Sequence, residues 1–156
     1  MEKTNVMRVL DQKKVNYTPH SIGDNSTMTG TDVATALGAP PEQVFKTLVT
    51  VGKTGKNYVF VVPIGGELDL KKAAKAVGEK SIEMLKSREL LPLTGYIHGG
   101  CSPIGMKKFF TTTFDISAED KETIYFSAGK IGYQVQLSPK DLSKVIRFKY
   151  ADIAAR

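Results

Sequence analysis

The stretch VFKTLVTVGKTGKNYVFVVPI, residues 44–64, decides the fold. Val44 to Val51 is β-branched and aromatic, Gly52 to Lys56 is a turn, and Asn57 to Ile64 repeats the strand chemistry. The segment predicts a β-hairpin. Lys46 interrupts the pattern. Side chains alternate across a strand, so Lys46 shares a face with Val44 and Leu48. A lysine there either snorkels to water at a sheet margin or turns its ammonium into a cleft, toward a phosphate, a carboxylate or a developing oxyanion. The pattern alone leaves both open.

Outward from the hairpin, helices and strands mix. Thr4 to Lys14 has apolar spacing of three and four, which predicts a helix. Tyr17 to Ile22 reads as extended, and Gly23 to Thr29 as a loop. Thr31 is expected to cap a helix through Val33, Ala34 and Leu37 that Gly38 ends. Pro41 suits the start of a short turn. Asp69 is expected to cap Leu70 to Val77, with Gly78 as the stop. Phe109 to Phe114, Ile124 to Ser127 and Tyr133 to Leu137 read as strands. Pro139 to Val145 and Tyr150 to Ala155 read as short helices. This order predicts an α/β (α+β) fold, a single domain over 1–156 with a mixed, largely antiparallel sheet flanked by helices.

The chain has 156 residues, 41% of them hydrophobic and 24% charged. Those values exclude a disordered or collagen-like chain. One cysteine and two histidines exclude an internal disulfide and a closed Cys/His zinc site, and no metal or cofactor is expected. No apolar run reaches the roughly 20 residues that span a bilayer, and the charged start MEKTNVMRVLDQKK lacks an apolar signal core. The expectation is a cytoplasmic protein with no membrane partner. A net charge of +6 suits a polyanion such as nucleic acid, or simply a mildly basic surface. The lysines of 71–88 are locally basic on the same terms.

Two glycine-rich segments carry candidate chemistry. In Gly99-Gly100-Cys101-Ser102-Pro103 the paired glycines admit close approach to the backbone, successive N–H groups can cradle an oxygen, Ser102 adds a hydroxyl and Pro103 stiffens the loop. An ordinary tight turn is the plain alternative. Ser127-Ala128-Gly129-Lys130 is a strand end followed by a glycine turn, without the spacing of a Walker A loop. Cys101 as a nucleophile would need a histidine base with an orienting acid, and no such acid stands beside His20 or His98.

FKTLV at 45–49, LKKAAKAVG at 70–78, GYIHGGCSPIG at 95–105 and SAGKIG at 127–132 occur in that order. Together they resemble the YbaK/EbsC family of aminoacyl-tRNA deacylases, most closely its Cys-tRNA(Pro) deacylase branch, which is related to the editing domain of prolyl-tRNA synthetase. The resemblance implies removal of cysteine from mischarged Cys-tRNA(Pro). A synthetic pocket rejects a neighbour of similar size by only roughly 1–3 kcal/mol, so accuracy calls for a second site. The branch's implied mechanism is substrate-assisted, with the cysteinyl thiol closing on its own ester as a thiolactone. Lys46, Gly99, Gly100 and Ser102 are the implied catalytic positions: Lys46 on the ester end or terminal phosphate, the loop backbone on the carbonyl oxygen. Tyr17, His20, Cys101, Pro103, Ser127 and Gly129 are the implied substrate-binding positions, with Tyr17 and His20 both open for the place where the family often has a tyrosine. Thr29 stands near a position where the family often has a phenylalanine. Lys71, Lys72 and Lys75 are implied to meet tRNA phosphates, with mischarged tRNA(Pro) and prolyl-tRNA synthetase as partners. An Ala-tRNA(Pro) or broader deacylase, and a non-catalytic RNA- or synthetase-binding module, are the alternatives.

Overall fold

A computed structural model describes residues 1–24 and 28–156. The middle of the loop expected at Gly23–Thr29, residues 25–27, lies outside the described residues. The hairpin forms where its chemistry puts it, as β2 (Phe45–Gly52) and β3 (Asn57–Pro63), antiparallel, with Lys46 opposite Val62 and Thr47 opposite Val61. It is the middle of a five-stranded sheet in the order β4-β2-β3-β5-β8, with β4 at Ile82–Met84, β5 at Thr111–Asp115 and β8 at Lys149–Ala151. β3 pairs β5 in parallel, and β5 pairs β8 in parallel. A second sheet, β1-β7-β6, is wholly antiparallel and comprises Thr18–Ser21, Tyr133–Leu137 and Ile124–Ser127. The single sheet expected from sequence is therefore two, touching through one parallel bridge between Val44 and Tyr125.

The main core lies between the sheets and helix α1 (Asn5–Gln12). Phe45, Val49, Val59 and Val61 from the hairpin meet Phe126, Val135 and Leu137 from the second sheet and Val6, Met7 and Leu10 from α1. Thr4 caps α1, its Oγ1 accepting from the Met7 amide at 3.2 Å. The opposite face of the hairpin is covered by α3 (Leu70–Val77), whose buried Ala73 and Ala74 lie against Tyr58, Phe60 and Val62. Asp69 caps that helix, accepting from the amides of Lys71 and Lys72, and Gly78 closes it.

Several elements depart from the sequence reading. Helix α2 (Gly30–Leu37) starts earlier than expected: Thr29, not Thr31, caps it, and Asp32 returns the bond to the Thr29 amide in a capping box. Thr29 is thus committed to its helix. Helix α4 (Ser87–Thr94) and strand β4 carry no clear sequence signal, because α4 holds Pro92 in its second turn and has no capping side chain. Residues 139–144 form a 3-10 helix. The helix expected at Tyr150–Ala155 is instead β8 followed by a bridge between Leu68 and Ala154. Asp115 explains that change. Its buried carboxylate accepts from the amides of Ile153 and Ala154, both at 3.1 Å, so those groups are satisfied without a helix.

Candidate active site

Lys46 leaves β2 on the face of Val44. The bridge of Val44 to Tyr125 runs in parallel, so the same face of β6 presents Tyr125 and Ser127. Across the second sheet the register pairs Ser127 with Gln134 and Gln134 with His20. His20, Gln134 and Ser127 thus form one polar row beside Lys46. His20 Nε2 lies 3.0 Å from Gln136 Oε1, and its ring packs on Tyr125 at 5.3 Å between centroids. Beyond Val44 and Tyr125 no further β2–β6 pair forms among the described residues. The two strands stay close past that bridge without pairing, and the polar row lies along the β6 side.

The segment 99–102 lies between β2 and the turn that follows β6. Gly99 sits at φ +88°, a conformation that suits glycine. Gly100 packs its Cα against the Lys130–Ile131 backbone, where an added Cβ would come within 3.2 Å of the Ile131 nitrogen. On the other side, Gly99 and Cys101 line a cleft of about 190 Å³ with Thr47, Leu48, Val49 and His98. Lys46 does not line this cleft. The cleft that the glycine loop lines opens on Thr47, Leu48 and Val49, the three residues that follow Lys46 along β2.

The glycine loop divides its backbone groups differently from expectation. The Gly100 amide donates to the Ile97 carbonyl at 3.0 Å, so it is spent on the turn. Among the described residues the amides of Cys101 and Ser102 have no partner within the fold, and these are the donors left for an oxygen. The Ser102 side chain is 0% exposed and its Oγ accepts from the Ile104 amide at 3.4 Å, so the hydroxyl holds the loop. Pro103 is likewise buried. Tyr96, absent from the sequence reading, fastens both glycine segments: its hydroxyl donates to the Ile104 carbonyl, and an added Cβ at Gly129 would meet its ring at 3.0 Å. Gly129 therefore serves packing, while its amide donates to Ser127 Oγ at 3.1 Å. Lys130 turns away, paired with Glu2.

Tyr17 lies on the core side, half-buried, with its phenol shifted up by burial and by Asp11. His20, not Tyr17, therefore faces the polar row. Lys72 is bound to Asp152 and to the Ala154 carbonyl, both at 3.1 Å, which removes it from the set expected to meet phosphates. Lys71 and Lys75 are exposed and, among the described residues, without a carboxylate partner.

Gln134 is the residue the sequence reading missed. It is only 6% exposed, and its Oε1 is buried without a hydrogen-bond partner among the described residues. Such an acceptor costs stability unless something meets it. Strand alternation over Tyr133–Leu137 turns Gln134 away from the core-facing Val135, a signal that was present in the sequence.

Burial pushes the Cys101 thiol up to about 12. It is protonated at neutral pH and inert as a nucleophile. Cys101→Ala is expected to keep deacylation within about twofold of wild type; an inactive, folded variant in a single-turnover assay would make the thiol essential.

The model of the aminoacyl-tRNA editing domain matches residues 24–145, which hold Lys46, both glycine segments and Gln134 but not His20. The chain belongs to this family. EbsC of Enterococcus faecalis, to which Cys-tRNA(Pro)/Cys-tRNA(Cys) deacylase activity is provisionally assigned, is 43% identical over 156 residues, 99% of this chain and 95% of that one. YwhH of Bacillus subtilis, an uncharacterised protein, is 28% identical over 122 residues, 78% of this chain and 76% of that one. Among solved structures, a candidate trans-editing enzyme for prolyl tRNA synthetase superposes with a TM-score of 0.83 at 25% identity, covering 99% of this chain and 100% of that one. The hypothetical protein APE2540 shares the fold, with a TM-score of 0.87 at 20% identity over 97% of this chain and 100% of that one. Among the described residues of the editing domain, no group of His, Cys, Asp and Glu could hold a metal, and no helix is long and apolar enough to cross a membrane.

Proposed function

We propose that this editing domain removes cysteine from mischarged Cys-tRNA(Pro). The observation that carries the reading is a set of groups in an aminoacyl-tRNA editing domain that have no partner among the described residues: the Lys46 ammonium, the buried Gln134 Oε1 and the amides of Cys101 and Ser102. Those groups are complementary to an aminoacyl ester. The Cys101 and Ser102 amides meet the carbonyl oxygen as it gains charge, Lys46 adds a positive charge near the ester or the terminal phosphate, and Gln134 Oε1 accepts from the α-ammonium group. The kinship with EbsC favours cysteine as the amino acid removed.

The raised pKa of the Cys101 thiol disfavours it as the attacking group, which favours attack from within the substrate. The cysteinyl sulfur attacks the ester carbonyl carbon and forms a C–S bond. The tetrahedral oxyanion collapses, the bond from carbon to the ribose oxygen breaks, and the thiol proton ends on that oxygen. The products are a cyclic thiolactone and free tRNA. The domain supplies proximity and a charged cradle rather than a nucleophile. Selection of tRNA(Pro) comes from prolyl-tRNA synthetase acting in the same complex.

The test is release of amino acid from Cys-tRNA(Pro), Ala-tRNA(Pro) and Pro-tRNA(Pro). Cysteine-selective release is expected; loss of alanine instead would make the pocket an alanine editor, and no release above the blank would leave a binding module. On tRNA charged with S-methylcysteine, release is expected to fall to the blank rate, because sulfur has no proton to lose. Cleavage at the cysteine rate would require a water nucleophile.

A further inference from the structure

The outer side of the glycine loop carries a feature the deacylation chemistry does not use. Phe109 is 58% exposed, directly beside Phe110, which is 8% exposed. The Arg147 guanidinium lies 5.8 Å from the Phe109 ring centroid, and Lys108 Nζ lies 5.5 Å from the Phe110 centroid. A groove of about 170 Å³ runs between them, with Pro103 and Gly105 on one side and Ile146 on the other. The flanking segments 97–114 and 142–151 contain Lys107, Lys108, Lys144, Arg147 and Lys149 and no acidic residue. Lys107 reaches only the Pro92 carbonyl, and Lys108 and Arg147 have no carboxylate partner among the described residues. Lys144 is neutralised by Asp141.

We propose that this groove is a docking surface for single-stranded RNA, with an unpaired base stacked on Phe109 beneath Arg147 and adjacent phosphates on Lys107 and Lys108. The inference rests on the aminoacyl-tRNA reading and adds the path of the nucleic acid. A ring with an open face accepts any base, and cations without counter-charges track the backbone. Hydrophobic exposure alone would not choose RNA; the Lys108 and Arg147 cations over the two rings, with no carboxylate partner among the described residues, do. Pro103 and Gly105 belong both to this groove and to the loop that lines the candidate site, so a strand held here leads toward that loop.

The chain has no tryptophan, so Phe109→Trp places a single fluorescent reporter on the platform. Titration of that variant with an uncharged single-stranded oligonucleotide ending in CCA is expected to quench its emission, with affinity at least equal to wild type by anisotropy. Phe109→Ala is expected to weaken oligonucleotide binding by about 5- to 100-fold. Lys108→Ala is expected to lower the slope of log affinity against log salt by about one. In deacylation, Phe109→Ala raises KM and leaves kcat unchanged, because the ring touches no reacting atom. Unaltered oligonucleotide affinity in Phe109→Ala with no quenching in Phe109→Trp would overturn the proposal while leaving deacylation intact. Loss of co-elution with prolyl-tRNA synthetase, at unchanged RNA affinity, would reassign the groove to a protein and overturn it equally. A wild-type chain that neither binds the oligonucleotide nor releases any amino acid would instead remove the function on which the proposal stands.

Discussion

Lys46→Ala is expected to lower kcat/KM on Cys-tRNA(Pro) by about 100- to 1,000-fold, the range for losing one preorganised group at a developing charge. By transition-state arithmetic this is about 3–4 kcal/mol. Fold loss is not the cause, because the side chain has no hydrogen bond or ion pair among the described residues to lose. It shares its face with Val44 and Leu48, both apolar. Lys46→Met keeps the packed stem and removes only the charge, so its melting temperature should match or exceed wild type while its activity falls equally. A Met variant as active as wild type in single-turnover deacylation would strip Lys46 of its role and leave the amides of Cys101 and Ser102 to polarise the ester unaided.

The largest expected effect on stability is at Asp115. Its carboxylate is 0% exposed and accepts from the amides of Ile153, Ala154 and Ser117 and, through both oxygens, from the Arg156 guanidinium at 2.9 and 3.1 Å. Asp115→Ala leaves two buried amides without acceptors and releases the segment after β8. The expected cost is about 3 kcal/mol, or a fall of roughly 6–12 °C in Tm for a chain of this size. Burial acts to raise the Asp115 pKa, but the bonds from Ser117, Ile153 and Arg156 outweigh it and hold the carboxyl below its usual value. The unfolded chain therefore takes up the proton first on acidification. The stabilisation is complete above the ordinary aspartate value of about 3.9 and is lost as pH falls toward the lowered folded-state value. Chemical denaturation from pH 7 to pH 3 should show the gap between wild type and Asp115→Ala closing at the acid end. A gap independent of pH, or a variant as stable as wild type at pH 7, would mean that the clasp contributes nothing.

The candidate site was legible to different depths for different residues. Lys46 stood out because a cation breaks an otherwise apolar alternation, and its neighbours in sequence define its face. The glycine segments stood out by composition, yet their division of labour did not. Whether the Gly100 amide is free depends on the Ile97 carbonyl, and whether Ser102 reaches solvent depends on Ile104 and the surrounding core. Lys72 looked equivalent to Lys71 and Lys75 on one helix. The return of the chain to Asp152 and Ala154 distinguishes it, and those residues lie about eighty positions away. Alternation marks the face of Gln134 but not its role; its orphaned oxygen exists only once both neighbouring strands are in register.

Local chemistry alone determined the hairpin at 44–64, the Asp69 cap and Gly78 stop of α3, and the strands at Ile124–Ser127 and Tyr133–Leu137. Each of these is decided by side chains within a few residues of one another, through alternation, capping or a turn. Tertiary structure alone decided the split into two sheets, the strand in place of a helix at Lys149–Ala151 and the bridge that joins the sheets at Val44 and Tyr125. Those features depend on partners such as Asp115 for Ile153 and Tyr125 for Val44. A buried amide takes whichever acceptor the folded chain brings to it, and no local pattern names an acceptor that lies 38 residues away.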